Sequence, residues 1–464
     1  MTATPARPSI PRSARPPRGS TLRRRTFAIA WLLPLLLAPR AFPQKLSEAD
    51  LLGQANARIR KYRTGRASLE LLGPSGHPLR KGLTVKILQT RHAFLFGCNI
   101  FVLGHCRTPE ENAEYARRFA ALFNYATAPF YWWMYEPEEG HTRRAQLEKT
   151  VRWCLAHGIT VKGHPLAWNF SEPSWLPDNP AEAMQLQFAR IRREVSQFAG
   201  QINYWDVVNE ATHFDRPECQ RQAPILTRGI AQMGVGAYVR HAFRVARAAN
   251  PHATLVINDY DVTSAYADKV LKKLVDSRGR PLYDVIGLQA HQHTGAWPPE
   301  KIWNVCERFR KFGKPLHITE TTILSGKLGY ELRQKHPGFN WTTTPQGEAR
   351  QARQVVRFYT LLFSNPAVQA ITWWDFSDQG AWQGAPAGLL RKDMTPKPAY
   401  TALYHLIKEK WWTRTTARVG RRGRARFRGF YGDYRVTVTT AGQTLSGTFS
   451  FDKTTRQPIT VRLR

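Results

Sequence analysis

Short apolar segments recur along the chain from residue 92 onward, and each is followed by a stretch whose apolar positions return with the spacing of a helix. Amphipathic runs such as 180–199, 234–249 and 346–363 are typical of surface helices. The eight strand candidates cover residues 92–99, 125–130, 159–165, 203–210, 253–260, 284–291, 315–321 and 370–378. Eight such repeats predict an α/β chain folded as a (β/α)8 TIM barrel. A doubly wound sheet is the competing fold, but no glycine-rich phosphate loop follows the first strand.

Polar side chains stand at the ends of the predicted strands. The stretch "YWDVVNEAT" (204–212) shows this most clearly, because an amide and a carboxylate follow directly after a segment that a core would bury. In a parallel barrel all strands end on one face, where active sites lie. We therefore expect one cleft with Glu210 at its rim. The polar strand ends are Asn99, His164, Asn209, Glu210, Asn258, Asp259, Gln289, His291, Glu320 and Asp375.

The segments on either side of the barrel, which we place at 92–411, predict two small additions. Residues 46–91 read as a helix followed by a β-hairpin, because two alternating stretches are separated by turn residues. They are expected to form an N-terminal β cap. Residues 412–464 alternate over about four strands, with twelve basic and two acidic residues. They are expected to form a small basic β-module whose arginines either bind polyanions or line a solvated edge strand.

The first 41 residues read as an export signal. They contain eight arginines and no acidic residue, and "RRTF" (24–27) resembles a twin-arginine motif. The apolar run at 28–38 is too short to span a membrane permanently. We expect a secreted or periplasmic protein with no stable membrane insertion after removal of the signal; a retained anchor is the alternative.

Composition narrows the classes of partner. A net charge of +34 favours anionic partners, but no nucleic-acid-binding motif is visible, so we expect no nucleic acid partner. The five cysteines form no CxxC pair, which disfavours a structural zinc site, and no metal or cofactor is expected. The 15 tryptophans suit either core packing or stacking against sugar rings. We expect a monomer.

Glu210 and Glu320 are the two carboxylates that suggest chemistry. They lie three strand–helix units apart, which fits the fourth and seventh strands of one barrel. A glycosidase needs such a pair, with one carboxyl group to protonate the leaving oxygen and the other to attack or stabilise the anomeric carbon.

The strings around these carboxylates resemble glycoside hydrolase family 10, the retaining endo-β-1,4-xylanases. The resemblance begins with "WDVVNEA" (205–211) and "ITE" (318–320) and covers about residues 92–408 in consistent order. Further matching strings are "GHPLAW" (163–168), "INDYD" (257–261), "IGLQAH" (286–291), "WWDFSD" (373–378) and "GLLRKDMTPKPAY" (388–400).

The resemblance implies a role for each matching residue. Glu210 would be the acid/base, Glu320 the nucleophile and Asn209 the donor to the sugar 2-hydroxyl. His164, Trp168 and Gln289 would hold the sugar beside the scissile bond, and His291 would hydrogen-bond Glu320. The hydrophobic wall would consist of Trp374 and Trp382.

The sequence departs from the family pattern in the glycone-binding stretch after the second strand. Family members usually have a Glu-Asn pair and a Lys there, whereas residues 127–140 read "TAPFYWWMYEPEEG". The family also has an Asp two residues after the nucleophile, where this chain has Thr322, so the carboxylate–histidine support of Glu320 would be lost.

These features predict a secreted retaining endo-β-1,4-glycanase, with xylan or another plant-type polysaccharide as substrate. One alternative is a glycosidase of the same mechanism on another β-glycan. The other is a polysaccharide-binding protein with attenuated catalysis.

Overall fold

The computed structural model describes residues 47–328, 341–440 and 442–464, so the predicted export signal at 1–41 lies outside the described residues. The strands are β1 (Thr64–Leu72), β2 (Thr84–His92), β3 (Leu95–Asn99), β4 (Tyr125–Pro129), β5 (Thr160–His164), β6 (Tyr204–Asn209), β7 (Thr254–Asp259), β8 (Val285–Gln292), β9 (Leu316–Ile323), β10 (Val368–Trp373), β11 (Arg414–Arg418), β12 (Arg424–Phe430), β13 (Gly432–Thr440), β14 (Gln443–Phe451) and β15 (Ile459–Arg462).

The helices span Glu48–Gly53, Ala55–Arg63, Pro109–Leu122, Trp132–Tyr135, Arg144–Ala156, Pro180–Gln197, Pro217–Gln222, Pro224–Met233, Val235–Ala249, Ser264–Lys269, Pro299–Phe309, Pro345–Ser364 and Pro398–Tyr404. A π-helical turn at His405–Lys410 follows the last of them. Short 3-10 turns lie at Ala211–His213, Leu271–Lys273, Arg310–Phe312, Trp382–Gly384 and Arg421–Gly423. Within the described residues, none of these helices combines the length and the apolar character that crossing a membrane requires.

Strands β3 to β10 close into a parallel barrel of eight strands, in which sequence neighbours pair and β10 closes the ring against β3. This confirms the predicted (β/α)8 fold. The strands are buried along almost their whole length, because helices cover the outside and side chains fill the interior. Their carboxyl ends therefore open together on one face.

Glycine is required at one point of the barrel wall. A Cβ atom at Gly163 on β5 would lie 2.2 Å from the indole ring of Trp205 on β6. Any side chain at this position would displace Trp205 or β5. His164 ends β5 directly after this glycine, so the close packing also fixes where His164 enters the cleft.

The remaining strands form two sheets that each combine both ends of the chain. One sheet has the order β12-β1-β15, and the other has the order β11-β2-β13-β14. The predicted hairpin of the N-terminal cap is therefore wrong, because β1 and β2 lie in different sheets and pair with C-terminal strands. The two sheets share one apolar cluster, which includes Leu69, Ile87, Tyr434, Val436 and Val461.

The basic side chains of residues 412–464 point to the solvent side of this β-sandwich, as β12 shows. Along β12, the exposed Arg424, Arg426 and Arg428 alternate with the buried Ala425 and Phe427. Alternation of this kind places one face of a strand in the core and the other in water.

The helix Ala55–Arg63 fastens the sandwich to the barrel at the end opposite the cleft. Arg63 Nε donates to the carbonyl of Phe363 at 2.7 Å, and its Nη2 donates to that of Val368, where β10 begins, at 2.8 Å. Its guanidinium also lies 4.7 Å from the ring of Phe94, just before β3. Burial lowers the pKa of Arg63 to about 9.

Because β1 and β2 pair with C-terminal strands, deleting residues 414–464 should damage the fold. The deletion removes every pairing partner of β1 and β2 and exposes the buried face that includes Leu69 and Ile87. We expect the truncated chain to aggregate or to unfold at a much lower temperature, measured by thermal denaturation of the soluble fraction. A soluble truncation with an unchanged Tm would contradict this shared sandwich.

Candidate active site

Glu210 occupies an unusual backbone position at the end of β6. It is the first residue after the strand and adopts left-handed angles (φ 58°, ψ 38°). Such a conformation costs a non-glycine residue about 1–2 kcal/mol and is concentrated at functional sites. Its backbone N–H donates to the carbonyl of Asn258 at 2.8 Å, which ties this turn to the neighbouring β7.

Three side chains donate to the Glu210 carboxylate. Gln289 Nε2 reaches its Oε1 at 3.1 Å, and Trp168 Nε1 reaches its Oε2, also at 3.1 Å. Arg216 Nη2 lies 2.5 Å from the same Oε2. Burial lowers the pKa of Arg216, but the Glu210 carboxylate more than offsets this effect, and the net pKa lies above the usual range. Sequence reasoning missed Arg216, which lies in the loop after β6.

Glu320 lies on β9 and is 4% exposed. Its Oε1 accepts a hydrogen bond from Asn258 Nδ2 and its Oε2 one from His291 Nε2, both at 3.0 Å. Burial raises the pKa of Glu320 to about 7; His164 opposes the increase and the charge of Glu210 adds to it. The two carboxylates therefore lie close enough for the charge of Glu210 to affect the pKa of Glu320.

Two amides connect the carboxylates. Asn258 Nδ2 donates both to Asn209 Oδ1, at 2.7 Å, and to Glu320 Oε1, while Gln289 Nε2 donates to Asn209 Oδ1 and to Glu210 Oε1. Both bonds at Asn209 use its carbonyl oxygen, so neither occupies its NH2 group. That leaves Asn209 able to donate to a hydroxyl, as the resemblance implies.

Asn258 itself was recognised from the sequence only as a polar strand end. Its Oδ1 accepts from Thr319 Oγ1 at 2.5 Å, which orients the amide. A Cβ atom at Gly287 on β8 would lie 2.7 Å from the same Oδ1, so glycine at 287 leaves room for Asn258. The string "INDYD" marked position 258 as part of the family pattern. The spacing of apolar and polar residues could not show that the Asn258 side chain bridges Asn209 and Glu320.

His291 keeps its support by a different chemistry from the one expected. Thr322 Oγ1 lies 2.8 Å from His291 Nδ1, and His291 Nε2 faces Glu320. Burial lowers the pKa of His291 to about 4, although the charge of Glu210 works against this. A neutral imidazole has one donor and one acceptor, and a carboxylate only accepts. When Glu320 is ionised, Nε2 therefore carries the proton and Thr322 donates to Nδ1. The carboxylate of the family pattern is absent, as expected, and a hydroxyl takes its place.

His164 extends the site towards the barrel interior. Its Nδ1 lies 2.7 Å from Asp206 Oδ2, and its Nε2 lies 3.9 Å from Glu320 Oε1. Asp206 also pairs with Lys162 at 2.5 Å, and all of these side chains are buried. Burial acts to raise the pKa of Asp206, but Lys162 and His164 reverse this effect and leave it below its usual value. Asp206 therefore orients His164 as a charged acceptor.

Aromatic rings lie around His164 and His291. Trp374 is 5% exposed and lies 5.3 Å from His164 between ring centroids, whereas Trp382 is 40% exposed and lies 6.1 Å from His291. The divergent stretch after β4 adds Tyr131, whose ring centroid lies 5.6 Å from that of His164. A cavity of about 310 Å³ lies beside Tyr131, lined in part by Phe101, Leu103, Met134 and Gln146.

The structure thus brings together all nine side chains selected from the sequence: Asn209, Glu210, Glu320, His164, Trp168, Gln289, His291, Trp374 and Trp382. Each lies in contact with at least one other of them or with Asn258. Within the described residues, no group of His, Cys, Asp and Glu is arranged to hold a metal ion.

Comparison with known proteins places this site in a family. The family model for Glycosyl hydrolase family 10 matches residues 97–406, more than half of the chain. The chain belongs to glycosyl hydrolase family 10. It is accordingly a glycoside hydrolase of the endo-xylanase-like type.

Two relatives differ in how much of the chain they match. The anti-sigma-I factor RsgI6 of Acetivibrio thermocellus is 26% identical over 398 residues, which is 84% of this chain but 47% of that protein. Endo-1,4-beta-xylanase B of Thermotoga neapolitana is 29% identical over 297 residues, or 60% of this chain and 78% of that protein.

Solved structures share the fold. Xylanase 10B from Thermotoga petrophila RKU-1, in complex with xylobiose, superposes with a TM-score of 0.54 at 24% identity, over 68% of this chain and 95% of that one. The family 10 structure from Paenibacillus barcinonensis gives 0.53 at 23% identity, over 68% and 96%.

The hydroxyl of Thr322 should affect the rate through His291. In Thr322→Val the shape is kept but the donor to Nδ1 is lost, so we expect kcat/KM to fall about two- to tenfold, the value of one hydrogen bond of about 0.5–1.5 kcal/mol. Thr322→Ser should retain activity. Thr321→Val is the matched control, because the buried Thr321 hydroxyl has no hydrogen-bond partner among the described residues. Equal losses in the two valine variants would contradict the role of Thr322.

The pH dependence should report the raised pKa of Glu320. A nucleophile acts in its ionised form, so kcat/KM should rise with pH through about 7 rather than near the ordinary glutamate value of about 4.3. Because the charge of Glu210 contributes to the increase, Glu210→Gln should move this acid limb to lower pH. The substrate should be a dinitrophenyl glycoside, whose leaving group needs no acid.

The matched control for this shift is Glu218→Gln, which removes the same charge from an exposed position in the next helix. Its acid limb should coincide with that of the unmodified chain. An acid limb that stays in place in Glu210→Gln would show that the two carboxylates are not coupled.

Proposed function

We propose that this chain is a secreted retaining endo-β-1,4-glycanase that hydrolyses xylan through a covalent glycosyl-enzyme intermediate. The observation that carries the proposal is that Glu210 and Glu320, two buried carboxylates at strand ends, are held in one cleft by a shared network of amide donors. Glu320 accepts hydrogen bonds from a histidine and an amide, and Glu210 accepts them from a tryptophan, an amide and Arg216. Export is supported by the twin-arginine-like segment at 24–27.

In the proposed mechanism each carboxyl group has one role in each step. Glu320 attacks the anomeric carbon as the bond to the leaving oxygen breaks, and Glu210 transfers its proton to that oxygen. Glu210 then takes a proton from a water molecule, whose oxygen displaces Glu320 from the anomeric carbon. The configuration is inverted twice, so the product retains the configuration of the substrate.

The surrounding side chains suit the binding of a sugar beside the scissile bond. The free NH2 group of Asn209 can donate to the 2-hydroxyl, and a hydrogen bond there strengthens in the transition state. His164, Gln289 and Trp168 lie within contact of the two carboxylates, and their donors suit the hydroxyls of the same sugar. Trp374 and Trp382 offer flat apolar surfaces of the kind that pack against sugar rings.

Cleavage of another β-glycan is a second candidate, favoured by the divergent glycone end. Tyr131 stands where family members have polar residues, and the cavity beside it could take a ring substituent. Initial rates on a panel of xylans and β-glucans, measured as reducing ends, separate the two substrates. A chain that binds these polysaccharides without releasing reducing ends would instead support a binding protein with attenuated catalysis.

The two carboxylates should respond differently to removal. Glu210→Ala should lose nearly all polysaccharide cleavage, because a sugar hydroxyl leaves only with a proton. A dinitrophenolate is stable as an anion, so the same variant should still form the covalent intermediate from a dinitrophenyl glycoside. We expect a burst of phenolate followed by a slow steady rate, and azide should accelerate that rate because it needs no general base.

Glu320→Ala is the matched variant, and it should give no burst with either substrate because the nucleophile is absent. Product configuration provides an independent measurement, by NMR of the freshly released anomer. Equal behaviour of the two variants on the dinitrophenyl substrate, or a product of inverted configuration, would overturn the assignment of roles.

A further inference from the structure

A cavity of about 450 Å³ lies where the β-sandwich meets the barrel. It is bounded by the helix Ala55–Arg63, by the segment 410–415 that leads into β11, and by the last residues of β12. This helix fastens the sandwich to the barrel at the end opposite the catalytic cleft. The cavity is therefore separate from the proposed hydrolytic site, and what it binds does not depend on the proposed function.

The lining of this cavity contains four cations and, among the described residues, no carboxylate. The cations are Arg60, Lys410, Arg414 and Arg428. None of the four forms an ion pair with a described residue, and Glu409 beside Lys410 pairs with His405 at 2.6 Å instead. Cations held together without a counter-charge repel one another, so the cavity favours an anion.

Most hydrogen-bond donors around the cavity have no acceptor in the described part of the chain. Arg428 uses one donor, Nη1, which reaches Thr64 Oγ1 at 3.0 Å, and the side chains of the other three cations form no hydrogen bond with a described residue. Trp411 also lines the cavity, and its Nε1 is buried with no hydrogen-bond partner among the described residues. A buried donor without an acceptor is costly, and an anionic oxygen in this cavity could supply one.

The number of cations indicates the class of anion. A carboxylate carries one negative charge on two oxygens, whereas a phosphomonoester carries about 1.5–2 negative charges at pH 7 on three strong acceptor oxygens. Guanidinium groups bind phosphate through two parallel N–H donors, and lysine binds it as a point charge. A phosphate group therefore compensates more of the charge in this cavity than a carboxylate does.

The rest of the lining suits the organic part of a phosphate ester. Ile59, Trp412 and Phe430 form an apolar wall of the same cavity. An aromatic or aliphatic surface of this kind packs against carbon-bearing groups while the polar side holds the charge.

We propose that this cavity is a binding site for a phosphate group, carried either on a small soluble ester or on a lipid headgroup. Arg414 on β11 and Arg428 on β12 belong to the two different sheets of the sandwich, and Arg60 belongs to the helix that contacts the barrel. A phosphate held by all three joins these elements through one ligand. Its binding therefore strengthens the attachment of the sandwich to the barrel.

The test titrates the full chain with glycerol phosphate at low ionic strength and measures binding by calorimetry. The unmodified chain should bind this probe, and its Tm should rise with the concentration of the probe, because a ligand of the folded state stabilises that state. The double variant Arg414→Gln with Arg428→Gln should raise Kd at least about tenfold, since it removes charge-assisted hydrogen bonds from two strands. No binding and no change in Tm for the unmodified chain would overturn the inference.

The matched control is Arg418→Gln with Arg424→Gln. It removes the same two charges from exposed positions of the same two strands, at residues that do not line the cavity. This variant should bind glycerol phosphate as the unmodified chain does. Both double variants should cleave a dinitrophenyl glycoside at the unmodified rate, which verifies that they are folded. An equal rise of Kd in the two variants would mean that general positive charge attracts the probe, and the site would be wrong.

Two further probes identify the ligand. Glycerate carries a carboxylate on a similar carbon skeleton and should bind at least about tenfold more weakly than glycerol phosphate, because one charge compensates less of the site. Equal binding of the two would overturn the choice of phosphate. Vesicles of phosphatidylcholine with added phosphatidic acid test the lipid source by sedimentation. Sedimentation that requires Arg414 and Arg428 assigns the site to a headgroup, and binding of glycerol phosphate alone assigns it to a soluble ester.

Discussion

The hydrogen bond between Asn209 and Asn258 is the interaction on which the arrangement of the cleft depends. Asn258 donates from one NH2 group to Asn209 and to Glu320, so the side chains of β6, β7 and β9 are held in a single network. Gln289 on β8 completes it by donating to Asn209 and Glu210. Buried polar groups of this kind are costly unless they are satisfied, and here each amide satisfies another. Removing any one of them would leave a donor or a carboxylate without its partner.

This network is possible because of the barrel. Four neighbouring parallel strands end at the same height, so groups far apart in sequence meet without a long loop. Gly163 and Gly287 have no side chain, so the strands β5 and β8 can pack closely against the side chains of Trp205 and Asn258. The β-sandwich lies at the opposite end, where Arg63 fixes it to β10 through backbone carbonyls. The proposed site therefore lies at the carboxyl ends of the barrel strands, and the strands that precede and follow the barrel in sequence pack at the other end.

The barrel and both carboxylates could be predicted because their signals are local: each strand is an apolar segment with a polar end, and the period repeats. The pairing of β1 and β2 could not be predicted, because alternation marks a strand without naming its partner. The contact between Thr322 and His291 depends on side-chain geometry. The family pattern showed only that a carboxylate is missing at position 322, and it could not show that the Thr322 hydroxyl donates to His291 instead. Arg216 comes from a loop, and loop conformation has no periodicity that a sequence could reveal.

Glu210 and Glu320 have partners opposite to those that the first step of retaining hydrolysis requires. The proposed acid is paired with a cation, while the proposed nucleophile, whose pKa is raised to about 7 chiefly by burial, faces a neutral histidine. Arg216 lies in contact with the Glu210 carboxylate, and the burial that raises the pKa of Glu320 favours the neutral form of that carboxyl group. Arg216 belongs to the loop after β6, so the cation beside Glu210 comes from outside the barrel strands that hold the other partners. The first step of the proposed mechanism needs a proton on Glu210 and an ionised Glu320, so the contact with Arg216 and the burial of Glu320 both oppose it in this structure.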